Sequence, residues 1–186
     1  HKYYKYNIFP VINSLIEVKK FLEADLAPSN VALQINSGMN RLGINRKILR
    51  DNINLFKKIP LNLIISHLSS ADEPNSESNI DQKREFLKCC EHFPKIRQSL
   101  AASHGALLNS DFHFDLIRVG IGAYGGIKRE NLLPVLQIRS PIINTNTIKR
   151  GMGIGYNLTF KARRTMKIAT VPTGYGDGIS RLLSNR

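Results

Sequence analysis

Apolar positions follow two rhythms along this chain. Over roughly the first 120 residues, short apolar runs alternate with longer amphipathic ones, the βα rhythm of a parallel sheet or barrel. The run NIFPVIN reads as a strand and SLIEVKKFLEADL as the helix after it, with Ser14 as N-cap and Glu17 three residues on. VALQIN is the next strand, and NRKILRDNINLFKKI from Asn45 its helix. LNLIISHL, the polar loop SSADEPNSESN and a helix from about Ile80 to His92 follow. SLAAS and FDLIRV complete five predicted strands.

After Gly126 the texture changes. LLPVLQIRSPIINTNTIKRG and TMKIATVPTGYGDG are rich in Ile, Val and Thr, are broken by Pro and Gly, and show no helical period. They predict the beginning of an all-β domain, with the boundary near Pro134 and hence units at 1–134 and 135–186. A closed (β/α)8 barrel needs eight strands, so five leave three missing. Because the chain starts abruptly, a partial barrel covering about strands 4 to 8, with its front absent, is expected over an open five-stranded sheet.

Composition narrows the function classes. With 186 residues and 42% hydrophobic content the chain can bury a sizeable core. No run approaches eighteen apolar residues and HKYYKYNIFP lacks the apolar centre of a signal peptide, so neither export nor membrane spanning is expected and the location is expected to be cytoplasmic. Cys89 and Cys90 are adjacent in a helical stretch, which suits neither a disulfide framework nor a zinc site; they read as ordinary thiols, and no metal is expected. The net charge of +13 raises nucleic-acid binding. The basic residues are scattered, however, and no aromatic-interleaved signature accompanies them, which argues against that partner.

In a β/α barrel, functional groups gather after the carboxyl ends of the strands. Those places are polar, glycine-rich or charged here: Ser37-Gly38-Met39-Asn40-Arg41 after VALQIN, His67 after LNLIIS, Ser103-His104-Gly105 after SLAA, and Arg118-Val119-Gly120-Ile121 after FDLI. Each has a bland reading when taken singly. His67 suits a satisfied core histidine, Arg41 and Arg118 each suit a structural ion pair, and Ser103 suits an N-cap. Their joint occurrence at equivalent strand ends favours a site. GIGAYG, from Gly120, matches the dinucleotide-binding pattern, but no acidic strand end lies about twenty residues on and Pro134 precludes a full helix. Its glycines suit close approach of a phosphate after the last barrel strand, or simply a tight turn leaving the barrel. Beyond it, Tyr156 sits in GMGIGYNLTF, and Tyr175 and Asp177 in VPTGYGDG, where Asp177 reads as a turn cap.

Assembled in order, SGMNRLG, SHLSSADE, LAASHG, FDLIRVGIGAYG, LLPVLQIRSPI, GIGYNLTF and IATVPTGYGDG make the chain resemble the alanine racemases. These are pyridoxal 5′-phosphate (PLP) enzymes with a (β/α)8 barrel and a C-terminal β domain. The resemblance covers nearly the whole chain, and it implies interconversion of L- and D-alanine, a route to a peptidoglycan precursor, by a homodimer. It further implies that Ser103, Gly120 and Ile121 hold the PLP phosphate and that Arg118 donates to the pyridine nitrogen. His67 would bridge Arg118 to the catalytic Tyr156, Arg41 would lie near the substrate carboxylate and the cofactor hydroxyl, and Tyr175 would line the substrate entrance. Racemisation needs two acid/base groups on opposite faces of Cα. A phenol with its ordinary pKa of about 10 is protonated at neutral pH, so a hydrogen-bonded imidazole and a nearby cation are what bring it into working range.

The chain departs from the family pattern in three places. The lysine that anchors PLP and serves as the second base has no match in these residues. The family's Met-Asp substrate segment and a late phosphate-binding tyrosine would fall beyond Arg186. Gln34 stands where many members carry a carbamylated lysine, and Asn36 where they carry an aspartate, so Arg41 lacks the usual anion. Residues 1–186 alone are therefore expected to be inactive. A racemase for another amino acid and a non-catalytic PLP-binding protein are the alternatives.

Overall fold

The computed structural model describes residues 5–6, 8–24, 30–129 and 131–183. The chain divides into two compact units, His1–Val135 and Leu136–Arg186.

In the first unit four strands, β1 (Val11–Ile12), β2 (Val31–Gln34), β3 (Leu61–Ile65) and β4 (Arg97–Ser99), pair in parallel in that order. Their register aligns Ile12, Leu33 and Ile64 across the sheet. These three enter one buried cluster with Val18, Leu49, Phe56, Phe86 and Cys89 from the helices. Because side chains alternate between faces, Val11, Ala32 and Leu63, and likewise Gln34, Ile65 and Ser99, lie on the opposite face, the one a barrel encloses.

The helices start where capping chemistry permits. α1 (Leu15–Glu23) is capped by Ser14 Oγ, which accepts the Glu17 N–H at 3.2 Å, while Glu17 reaches past the cap to accept the Asn13 N–H at 2.5 Å. The predicted continuation to Leu26 lies outside the described residues. The single helix predicted from Asn45 is two short ones, α2 (Arg46–Asp51) and α3 (Ile53–Phe56). Asn52 divides them, because its Nδ2 donates back to Ile48 O at 3.0 Å and competes with the helical ladder. α4 (Glu77–Cys90) begins at Ser76, earlier than the predicted Ile80.

Two strand predictions need correction. The strand read at SLAAS lies earlier, at Arg97–Ser99. FDLIRV forms only one parallel bridge, Ala102 with Arg118. Asp115 explains the shortfall: its carboxylate accepts the Gln98 N–H at 2.8 Å, the place a strand carbonyl would take, and Phe114 before it has φ +52°.

The second unit holds an antiparallel pair, β5 (Asn144–Ile148) with β8 (Met166–Thr170), and a two-residue pair, β6 (Gly153–Ile154) with β7 (Phe160–Lys161). In LLPVLQIR, alternation without Pro-free length is insufficient: the segment has no ladder partner among the described residues, and Leu133, Val135, Leu136 and Ile138 are exposed. Among the described residues, no helix is long and apolar enough to cross a membrane.

Candidate active site

The stretch after β2 is a closed excursion. Ile44 N–H donates to Gln34 O at 2.8 Å, and Asn36 N–H donates to Ile44 O at 2.9 Å, so the loop leaves and rejoins the same strand end. Inside it Asn36 Oδ1 accepts the N–H groups of Gly38 (3.1 Å) and Asn40 (3.0 Å), an Asx turn that lets Asn40 take φ +57°. Gly43 closes the loop at φ +105°, and a Cβ there would lie 2.7 Å from Asn36 N, so only glycine fits. Arg41 is thereby carried on a fixed loop with its side chain exposed. Gln34 does not engage it; the Gln34 Nε2 donates to Ile35 O at 3.4 Å.

Beneath this loop, serines organise Arg118. Its Nη1 donates to Ser99 O at 2.8 Å and also to Ser99 Oγ, and its Nη2 donates to Ser66 O. The Ser99 hydroxyl in turn donates to Leu116 O at 2.6 Å, which turns its lone pairs toward the guanidinium. Ser66 Oγ donates to Ile35 O at 2.8 Å and is paired with Ser37 Oγ at 2.7 Å. Arg118 is thus fixed by neutral acceptors, and no carboxylate forms an ion pair with it or with Arg41 among the described residues. Its Nε is left without an acceptor among those residues. Burial pushes the Arg118 pKa below its usual value, yet guanidinium remains protonated throughout the physiological range.

His67 lines the same space and makes no hydrogen bond to Arg118. Its pKa lies below the ordinary 6.5, first through burial and then through repulsion by the Arg118 and Arg41 guanidinium groups. At neutral pH it is an uncharged imidazole between two cations.

Next along the rim, Ser103 Oγ accepts the N–H groups of Gly120 (2.8 Å) and Gly122 (3.0 Å). The turn Ile121–Tyr124 that follows is a four-residue 3₁₀ segment ended by Gly125 at φ +74°, not the long helix a dinucleotide site needs. The Ile121 N–H has no acceptor among the described residues. A Cβ at Gly122 would meet Ser103 Cβ at 3.3 Å, a tight contact that glycine avoids.

One cavity of about 450 Å³ is lined by His67, Ser103, Arg118, Gly120 and Ile121, and a smaller one of about 110 Å³ by Arg41, His67, Arg118 and Gln34. His67, Arg118 and Met39 border both. The strand-end residues of the first unit therefore converge. In the second unit, Tyr156 and Tyr175 line a separate cavity of about 720 Å³ with Phe160 and Arg181. Tyr156 is 98% exposed and Tyr175 75%, and the Arg181 guanidinium lies over the Tyr175 ring at 5.9 Å. Asp177 accepts the Gly174 N–H at 2.9 Å and caps its own turn.

The family model for the N-terminal domain of alanine racemase matches residues 1–128, and that for the C-terminal domain matches residues 135–186. The chain belongs to the alanine racemase family. An alanine racemase of Rickettsia bellii (strain RML369-C) is 39% identical over 196 residues, covering 98% of this chain and 47% of the relative. One from Rickettsia canadensis (strain McKiel) is 37% identical, covering 98% and 52%. Among solved structures, alanine racemase from Bartonella henselae with covalently bound pyridoxal phosphate superposes with a TM-score of 0.80 at 29% identity, over 98% of this chain and 54% of that one. Biosynthetic alanine racemase from Pseudomonas aeruginosa gives 0.80 at 32% identity, over 92% and 51%. The chain spans about half the length of these alanine racemases, and its fold is accordingly a partial (β/α)8 barrel followed by part of a β domain.

Sequence reasoning missed Ser66, Ser99 and Gln82. The serines act through backbone carbonyls and a hydroxyl that nothing in the local pattern singles out. Gln82 did leave a signal: with Asn79 it occupies the helical face of Phe86 and Cys90, two amides at core positions.

Proposed function

We propose that this chain is part of a PLP-dependent alanine racemase, with residues 1–134 contributing to the cofactor-binding barrel and 135–186 to the β domain. The observation that carries the reading is the convergence of His67, Arg118, Ser103, Gly120 and Ile121 on one cavity in a chain of this family.

The residues present fit the cofactor. The Ile121 N–H, without an acceptor among the described residues, and the Cβ-free approach of Gly122 to Ser103 suit a phosphate, and the Arg118 Nε, likewise without an acceptor among those residues, suits an acceptor nitrogen. PLP, when bound, supplies the electron-withdrawing ring that makes the Cα proton of an amino acid removable. Arg118, unable to give up its proton, would donate to the pyridine nitrogen and so moderate that withdrawal. Neutral His67 borders the cavity without adding a third cation, and it makes no hydrogen bond to Arg118. Arg41 offers its charge to the substrate carboxylate. Tyr156 takes or delivers the proton on one face, Tyr175 borders the entrance, and the anchoring lysine that serves the other face has no counterpart here. The reading extends to a cytoplasmic homodimer in which Tyr156 serves the partner's barrel; its support is a phenol that its own unit leaves almost wholly exposed.

A non-catalytic PLP-binding barrel protein would lack the β domain, and the strands of the second unit count against it. Incubation of a polypeptide of residues 1–186 with L-alanine and PLP, followed by chiral chromatography, is expected to give no D-alanine. Adding polypeptides that cover both the front of the family's barrel, lysine included, and its segment beyond Arg186 is expected to restore conversion. D-alanine formed by residues 1–186 alone would overturn the assignment of the second base to that lysine, and no conversion by the complemented set would overturn the racemase reading.

A further inference from the structure

We infer that Gln82, on α4, is a positioning residue that fixes His67 and the Arg41 loop relative to one another. Its side chain is 3% exposed, and its amide spends both ends on the His67 loop. Nε2 donates to the His67 carbonyl at 3.1 Å, while Oε1 accepts the Ser69 N–H at 2.8 Å and the Ser69 hydroxyl at 2.9 Å. The same side chain touches the neighbouring loop. A Cβ built on Gly38 would lie 3.0 Å from Gln82 Cγ, and Gly38 holds φ +141°, so the SGMNR loop packs against Gln82 only because glycine stands there.

The helix is built for this. Asn79, one turn earlier and 1% exposed, donates from Nδ2 to Ser70 O at 3.1 Å and Glu73 O at 3.0 Å, so two amides hold successive parts of the loop that crosses α4. That loop leaves β3 with carbonyls that no ladder satisfies, and a buried amide on the adjoining helix is the group that can meet them. Phe86 and Cys90, farther along the same face, meet the apolar core instead. The polar end of the face thus serves the site, and the apolar end serves the fold.

Removing the amide frees the His67 backbone and changes what its imidazole faces. Those surroundings are Arg118 from beyond β4, Arg41 from the β2 loop, and Asp72 and His104, which line the cavity shared with His67 and Arg118. The inference rests on the functional reading only for the importance of His67; the placement is measurable without cofactor. NMR titration of the His67 imidazole in the full chain, assigned with His67→Gln, provides the test. Gln82→Met, which keeps length and packing but removes the hydrogen bonds, is expected to raise the His67 midpoint toward the ordinary 6.5. Ser69→Ala, at an exposed position, is expected to shift it the same way by less. Phe86→Leu is expected to lower Tm and leave the midpoint unchanged. A Gln82→Met protein that melts lower with an unmoved His67 midpoint overturns the inference. Should Gln82→Met not fold, an unmoved midpoint in Ser69→Ala overturns it. Failure of the complemented chain to form D-alanine would count against the functional reading and leave this result standing.

Discussion

The two units solve the problem of burial differently. The first joins Leu33, Ile64, Val18, Leu49, Phe56 and Phe86 into one cluster between sheet and helices. In the second, the buried apolar side chains among the described residues are Ile148 and Ala162, and Leu136, Ile138, Ile142, Ile143 and Leu182 are exposed. Charge sharpens the contrast, because residues 136–186 carry nine Lys and Arg against the single Asp177, whereas the preceding residues carry most of the acidic groups. A pair of two-stranded ladders with so little buried area is marginal in water. Among the described residues, the first unit therefore encloses a core of its own, while the second presents an apolar and cationic surface.

The largest expected effect separates the units by stability. Phe86 is fully buried and packs edge-on against Phe114 with ring centroids 5.4 Å apart. Phe86→Ala is expected to cost the first unit about 3–5 kcal/mol in urea denaturation followed by amide exchange. Amides of β5 and β8 should exchange quickly in both proteins. Equal protection of β5 and Leu33 in the wild type would erase the distinction.

Acid gives a smaller separation. His67 has a lowered pKa in the fold and 6.5 when unfolded, so the unfolded chain binds the proton more tightly. Stability from this group is complete above pH 6.5, declines as pH falls from there through the folded pKa, and then levels off. The first unit should lose Tm over that window and His67→Gln should flatten the loss. The second unit contains no histidine and should not respond in this way. A wild-type slope retained in His67→Gln would assign the effect elsewhere.

Salt is expected to act least. Screening relieves like-charge repulsion in residues 136–186, so moving from low to physiological salt should raise protection of β5 and β8 slightly and leave the core of the first unit unchanged. Weaker protection at higher salt would show that attraction, not repulsion, dominates that surface.

Much of the candidate site was legible because strand ends in a parallel sheet are equivalent places, and His67, Arg118, Ser103 and Gly120 each follow an apolar run. Periodicity failed where a side chain intervened. Asn52 divided a helix that the pattern left whole, and Asp115 occupied the ladder position that FDLIRV was predicted to fill. LLPVLQIR misled for the opposite reason: it has a strand's composition, but a strand exists only with a neighbour to pair with.

Sequence alone was enough to determine the alternation of elements, the change of texture after Gly126 and the chemistry gathered at the loop tips, because periodicity and turn residues act over a few positions. It also placed Tyr156 and Tyr175 in glycine-rich turns, and the structure shows both side chains exposed. Only the tertiary structure decided that Arg118 is held by Ser66 and Ser99, that His67 lies near two guanidinium groups that lower its pKa, and that the Gln82 amide holds the His67 loop. Those outcomes depend on which backbone carbonyls are left unsatisfied when distant segments meet, and that is settled by packing rather than by any local run of residues.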